Sequence, residues 1–148
     1  MLLDDLHPVW TYEFIPELQS GPYKRPLTLD DLECLAAFQT VPSDYLALYV
    51  EFGSVQFNAE DGYNFDLLTP IDAYDYHFAQ GRTEYLPGLF PMTGGASART
   101  LYFGSIDGRT GAYLFEPGVS RASDGIYIAP SLFDILFRGQ GVDVMKAN

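Results

Sequence analysis

The sequence predicts an α+β fold: one domain with a mainly antiparallel, twisted sheet and helices packed on it. Three observations predict it. Strand-like segments arrive as turn-linked neighbours and do not alternate strictly with helices, which favours an antiparallel sheet over a parallel one. Apolar stripes at helical spacing carry their own capping residues. The 148 residues, 47% hydrophobic and 16% aromatic, suffice for one ordinary core without disulfides or metals. No internal repeat or low-complexity tract suggests a second domain.

Residues 1–26 mix Trp10, Tyr12, Phe14 and Tyr23 with four prolines, so one short strand, Trp10–Ile15, is expected in an N-terminal extension packed on a domain of residues 27–148. Thr28 with Asp31 three residues on reads as an acidic capping box, and Leu29, Leu32, Leu35, Ala36 and Phe38 form the stripe of a first helix. A second helix begins at Val41-Pro42-Ser43-Asp44 and sets Tyr45, Leu48, Tyr49 and Phe52 on one face before Gly53 ends it. Leu46 and Val50 widen that face, so the helix is expected to be central to the core.

Val55–Phe57 and Phe65–Thr69 then read as a hairpin around Asn58–Gly62. Pro70 opens an expected third helix through Ile71, Ala73, Tyr74 and Phe78 to Gly81. The Gly- and Pro-rich segment Arg82–Ala98 is expected to be a long loop. Leu101–Ile106 and Ala112–Glu116 flank Asp107-Gly108-Arg109-Thr110-Gly111, the strongest hairpin signal in the chain. Ile126–Ile128 is a last strand, and Ser131 with Asp134 caps a final helix that Gly139 stops.

Charge narrows the class of partner. The formal net charge is -12, and residues 1–74 hold 13 acids against 2 bases, while residues 75–148 hold 7 against 6. Between Arg25 and Arg82 there are ten acids and no Lys or Arg, so this stretch cannot neutralise itself locally. Nucleic acid and anionic membranes are disfavoured, since both demand cationic surfaces. The acids either solvate the surface or steer a basic partner towards it. The acidic start MLLDDLHP and the single Cys34 give the expectation of a cytoplasmic protein.

Signals of catalysis or of a cofactor are sparse. Cys34, His7 and His77 have no metal-ligand spacing, and Gly94-Gly95 lacks the Lys and Ser/Thr of a phosphate loop. Cys34 sits within the first helix's apolar stripe, where a buried thiol is commoner than an activated one, and His77 is expected to be packed or partly exposed. The expectation is a protein without catalytic residues, bound metal or cofactor.

One combination resembles a known family. Val41-Pro42-Ser43-Asp44-Tyr45-Leu46-Ala47-Leu48-Tyr49-Val50-Glu51-Phe52-Gly53 is similar to the apolar-Pro-x-x-Tyr helix of the SUKH superfamily, the Smi/Knr-type domain. Tyr102-Phe103-Gly104 with Ala112–Glu116 resembles its central hairpin. Ile126–Ala129 followed by Pro130-Ser131-Leu132-Phe133-Asp134-Ile135-Leu136 resembles its closing strand and helix. The three segments keep the family's order over about residues 28–138, although Gly53-Ser54-Val55 stands where Asn-Gly-Gly is common and residues 1–26 have no counterpart.

The resemblance implies a non-enzymatic, protein-binding domain. Many bacterial members are immunity proteins that neutralise toxins, often nucleases, of polymorphic or contact-dependent systems. Other members are intracellular regulatory or scaffold modules. The partner-binding candidates are Glu60, Asp61, Tyr63, Asp72 and Asp75, in or beside predicted turns and a helix start, with Tyr63 either an aromatic anchor or packing under its hairpin. A third expectation is a small-ligand protein with Arg82–Ala98 as a lid and Arg82 and Arg99 as anion ligands or as ordinary ion-pair partners.

Overall fold

The computed structural model describes residues 2–16, 20–23, 26–60, 62–79, 86–94, 99–117 and 121–146. Among these residues, two antiparallel four-stranded sheets and five α-helices make up the α+β fold. The first sheet has the order β1 (Trp10–Phe14), β2 (Val55–Ala59), β3 (Asn64–Leu67), β5 (Thr93–Gly94). The second has the order β4 (Phe90–Pro91), β6 (Thr100–Ile106), β7 (Arg109–Phe115), β8 (Ile126–Ala129).

One sheet was the expectation, and the segment around Met92 explains the second. Phe90 and Pro91 pair with β6, whereas Thr93 and Gly94 pair with β3. Between them the Met92 amide donates to the Leu101 carbonyl at 2.8 Å and its carbonyl accepts from the Leu68 amide at 2.9 Å. A segment expected to be loop is therefore the seam between the two sheets. Its Leu86, Leu89, Phe90 and Met92 are buried, so most of the described part of the expected lid is core, with Pro87 and Gly88 exposed.

The helices are α1 (Leu29–Ala36), α2 (Ser43–Phe52), α3 (Pro70–Tyr74), α4 (Leu132–Arg138) and α5 (Val142–Lys146), the last of which has no strong signal in sequence. α2 buries Tyr45, Leu48, Tyr49 and Phe52, as its spacing predicts. The Tyr45 ring meets Phe90 edge-on at 4.8 Å, and its hydroxyl donates to the Leu68 carbonyl at 2.6 Å, which anchors the helix to the seam. Burial pushes the Tyr45 hydroxyl well above its ordinary pKa and Tyr49 up to about 12, so both stay neutral donors. Asp44, an acid of the first half, is buried at 8% exposure. Its carboxylate accepts from the Tyr45 amide at 2.8 Å and from the Phe133 amide at 3.1 Å, joining the starts of α2 and α4.

The N-terminal segment supplies part of the core. β1 lies at the edge of the first sheet in register with β2, from Trp10 opposite Ala59 to Phe14 opposite Val55. Trp10 is buried, meets Phe65 edge-on at 5.2 Å, and donates from its indole N–H to the Ile135 carbonyl at 3.0 Å. The His7 amide donates to the Leu136 carbonyl at 2.9 Å. Beside this contact Gly139 ends α4 at φ 70°, where an added Cβ would lie 3.0 Å from the His7 ring.

Local turn chemistry behaves as expected, with tighter bounds. The β6–β7 hairpin closes on Asp107-Gly108 alone, with φ of 53° and 81°, the left-handed pair that a two-residue turn requires. Arg109, Thr110 and Gly111, expected in the turn, pair within the ladder. The third helix is shorter than its stripe: α3 ends at Tyr74 and a π-helical turn follows over Asp75–Ala79, while Gly81 lies outside the described residues. That turn buries His77 against Phe38, Phe78 and Tyr102.

Candidate functional site

The capping box at Thr28 sets the phase of α1. The Thr28 amide donates to the Asp31 carboxylate at 2.9 Å and the Asp31 amide donates to the Thr28 hydroxyl at 3.1 Å. Asp31 and Leu35, one turn apart, therefore face inward and are buried. The same phase turns the expected core residues Leu29 and Leu32 outward, where they are 71% and 50% exposed. On α3, the Thr69 hydroxyl accepts from the Asp72 amide at 3.1 Å, and Pro70 and Ala73 are buried. Ile71, Asp72, Tyr74 and Asp75 are left on the outside.

α1 and α3 lie against each other and leave a groove of about 380 Å³ lined by Asp30, Glu33, Cys34, Ile71, Tyr74 and Asp75. Six large apolar side chains are exposed among the described residues, and Leu29, Leu32, Ile71 and Tyr74 belong to these two helices. Asp30, Glu33, Asp72 and Asp75 are exposed beside them. The thiol at the groove's floor registers this crowding. Burial pushes Cys34 up, and Asp75, Asp30, Asp31 and Glu33 push it further in the same direction, so it is a protonated, poorly nucleophilic surface. Half-buried Cys34 thus lines a groove where core packing was expected.

The five sequence candidates fall in two places. Asp75 lines the groove and Asp72 is exposed beside it on α3, whereas Glu60 and Tyr63 sit at the β2–β3 turn, at the opposite end of β3 from α3; Asp61 lies outside the described residues. At that turn the half-buried Tyr63 ring lies under the Arg99 guanidinium, 4.9 Å from its centroid, and Arg99 Nη1 is 3.7 Å from Glu116 Oε1. Arg99 is buried at 6% exposure, so this cation serves as a clamp between the hairpin end and the second sheet. Burial raises the Tyr63 hydroxyl, Arg99 opposes the rise and Glu116 adds to it. Arg82 lies outside the described residues.

Asp30, Glu33, Leu29 and Leu32 were absent from the candidates. The Thr28–Asp31 box marks where α1 starts, but which of its residues face outward depends on how α1 packs beside α3.

A larger groove of about 730 Å³ runs past Val41, Pro42, Phe103, Pro130 and Phe133; its charge is Asp44, already engaged by the two amides named above. A smaller one of about 180 Å³ lies beside Phe38, His77 and Leu89. Among the described residues no group of three or more His, Cys, Asp or Glu is placed to hold a metal ion, and no helix is long and apolar enough to cross a membrane. No protein-family model, curated protein or solved structure matches the chain.

Proposed function

We propose that the chain is a non-enzymatic protein-binding domain of the SUKH type, an immunity protein that neutralises a cognate, basic, nuclease-type bacterial toxin. One observation carries the binding part. Exposed apolar side chains and carboxylates that form no ion pair among the described residues coincide on α1 and α3. A face of carboxylates alone would only solvate the molecule; apolar groups among them give a partner surface to bury, and the acids select a cationic one. A nuclease fits that description, because it must hold phosphates with Lys and Arg, and an acidic protein seated there would occlude its substrate. The order of the three SUKH-like segments supports the immunity role.

The test is rescue. The chain, immobilised, is used at low and high salt to capture basic proteins from its source cell, and a captured domain is expressed alone and with the chain. The expected result is a domain that is toxic alone and harmless in co-expression, with protection lost in the combined variant Asp30→Asn, Glu33→Gln, Asp72→Asn, Asp75→Asn. Undiminished protection by that variant would remove the α1–α3 face from the mechanism. Capture of non-toxic regulatory proteins in place of a toxin would favour the scaffold role.

A further inference from the structure

We infer that the element seated between α1 and α3 is an amphipathic helix of the partner, apolar along one stripe and rich in Lys and Arg on both flanks. This rests on the proposed binding of a basic protein and adds the form of the bound element. The first ground is backbone chemistry. Both walls of the groove are helices, whose backbone groups are engaged along their own axes, so an incoming strand finds no ladder to join there. A bound segment must satisfy its own backbone, which a helix does.

The second ground is the distribution of surface. Ile71 and Tyr74 on one wall, with the half-buried, uncharged Cys34 thiol on the other, give an apolar strip along the groove. One stripe of a partner helix, with apolar residues three and four apart, matches such a strip. The third ground is that acids stand on both walls: Asp30 and Glu33 on α1, and Asp75 on the turn after α3. A helix with bases on one flank would leave the opposite wall unmatched, so charge complementarity calls for Lys or Arg on both. α1 spans about 12 Å, which accommodates roughly two turns of such a helix.

The probe is a synthetic peptide of about four helical turns, with Leu at helical stripe positions and Lys elsewhere, titrated into the isotope-labelled full chain. Binding by fluorescence anisotropy, peptide helicity by circular dichroism and amide shifts by NMR are read together. The expected result is saturable binding at low salt, gain of helix in the peptide, and shifts centred on α1 and α3. A peptide of the same composition with scrambled order, and one with a central proline, should each bind at least about tenfold more weakly. So should the chain variant Ile71→Ser, whose substitution falls on an exposed position that lines the groove and spares the core. Equal binding of all three peptides, or shifts centred on Glu60 and Tyr63, would overturn the helix assignment and leave a basic partner in place. Failure of every cationic peptide to bind at low salt would overturn the basic partner as well.

Discussion

The α1–α3 face and the Arg99 clamp handle charge in opposite ways. On the face, Asp30, Glu33, Asp72 and Asp75 are exposed on two adjoining helices, between Arg25 and Arg82, a stretch that supplies no cation of its own. At the clamp, a single cation is buried over an aromatic ring and beside Glu116, whose side chain is 45% exposed. The clamp's charge is consumed within the fold. The face's charge is available to a partner. Comparing them teaches that net charge alone does not locate a binding surface; what matters is which charges the fold has already engaged. Asp31 and Asp44 make the point, since both are acids of the same stretch, the first spent on the capping box and the second on the Tyr45 and Phe133 amides.

The largest change in stability should come from breaking the clamp. Arg99→Ala removes a buried side chain stacked on Tyr63, and is expected to cost about 2–4 kcal/mol in denaturant unfolding, mostly as lost packing because Glu116 stays hydrated. Asp44→Ala comes next, at about 1–2 kcal/mol, by removing the carboxylate that receives the Phe133 and Tyr45 amides. Chemical denaturation at neutral pH measures both, and a neutral Asp44→Ala would show that α2 and α4 hold their starts without it.

The four-acid variant on the face sharpens the contrast from the other side. Each substitution is expected to leave stability within about 0.5 kcal/mol while abolishing the salt-sensitive part of partner binding. A large loss of thermal stability would mean that these acids serve the fold and that the face resembles the clamp.

The smallest effect concerns Asp66 on β3, whose Oδ1 is buried without a hydrogen-bond partner among the described residues, and whose pKa burial raises. The folded state therefore holds the Asp66 proton more tightly than the unfolded chain does. That contribution is full below the unfolded value of about 3.9 and is lost as pH rises through the folded value. Asp66→Asn should be slightly more stable than the parent at neutral pH, with the gap closing as pH falls towards 4. Thermal melts across that range decide it, and a gap that widens in acid would refute the sign.

Local signals were legible in the chain, and distant ones were not. The Thr28–Asp31 box, the Asp107-Gly108 turn and the Ser131 cap each depend on residues within a few positions, and each stands where expected. The seam at Met92 depends on partners in both β3 and β6, so Gly- and Pro-rich composition alone pointed to loop. The exposure of Leu29 and Leu32 depends on how the cap rotates α1 against the core, which a count of apolar positions does not contain. Asp72 and Asp75 were reached through their place at a helix start. Their neighbours Asp30 and Glu33 required knowing that α1 lies beside α3.

The indole of Trp10 has a consequence for how the chain acquires its shape. Its acceptor, the Ile135 carbonyl, lies 125 residues downstream, and the Asp44–Phe133 link, nested within that span, closes 89. A nascent chain still on the ribosome can pair β1 with β2 and close the β6–β7 hairpin, but it cannot seal its single tryptophan until α4 emerges. Completion therefore waits for α4 and is an event of high contact order, slower than the helices alone would suggest. A chain truncated before α4 would keep its hairpins and leave Trp10 open to water, readable as a red-shifted, quencher-accessible fluorescence.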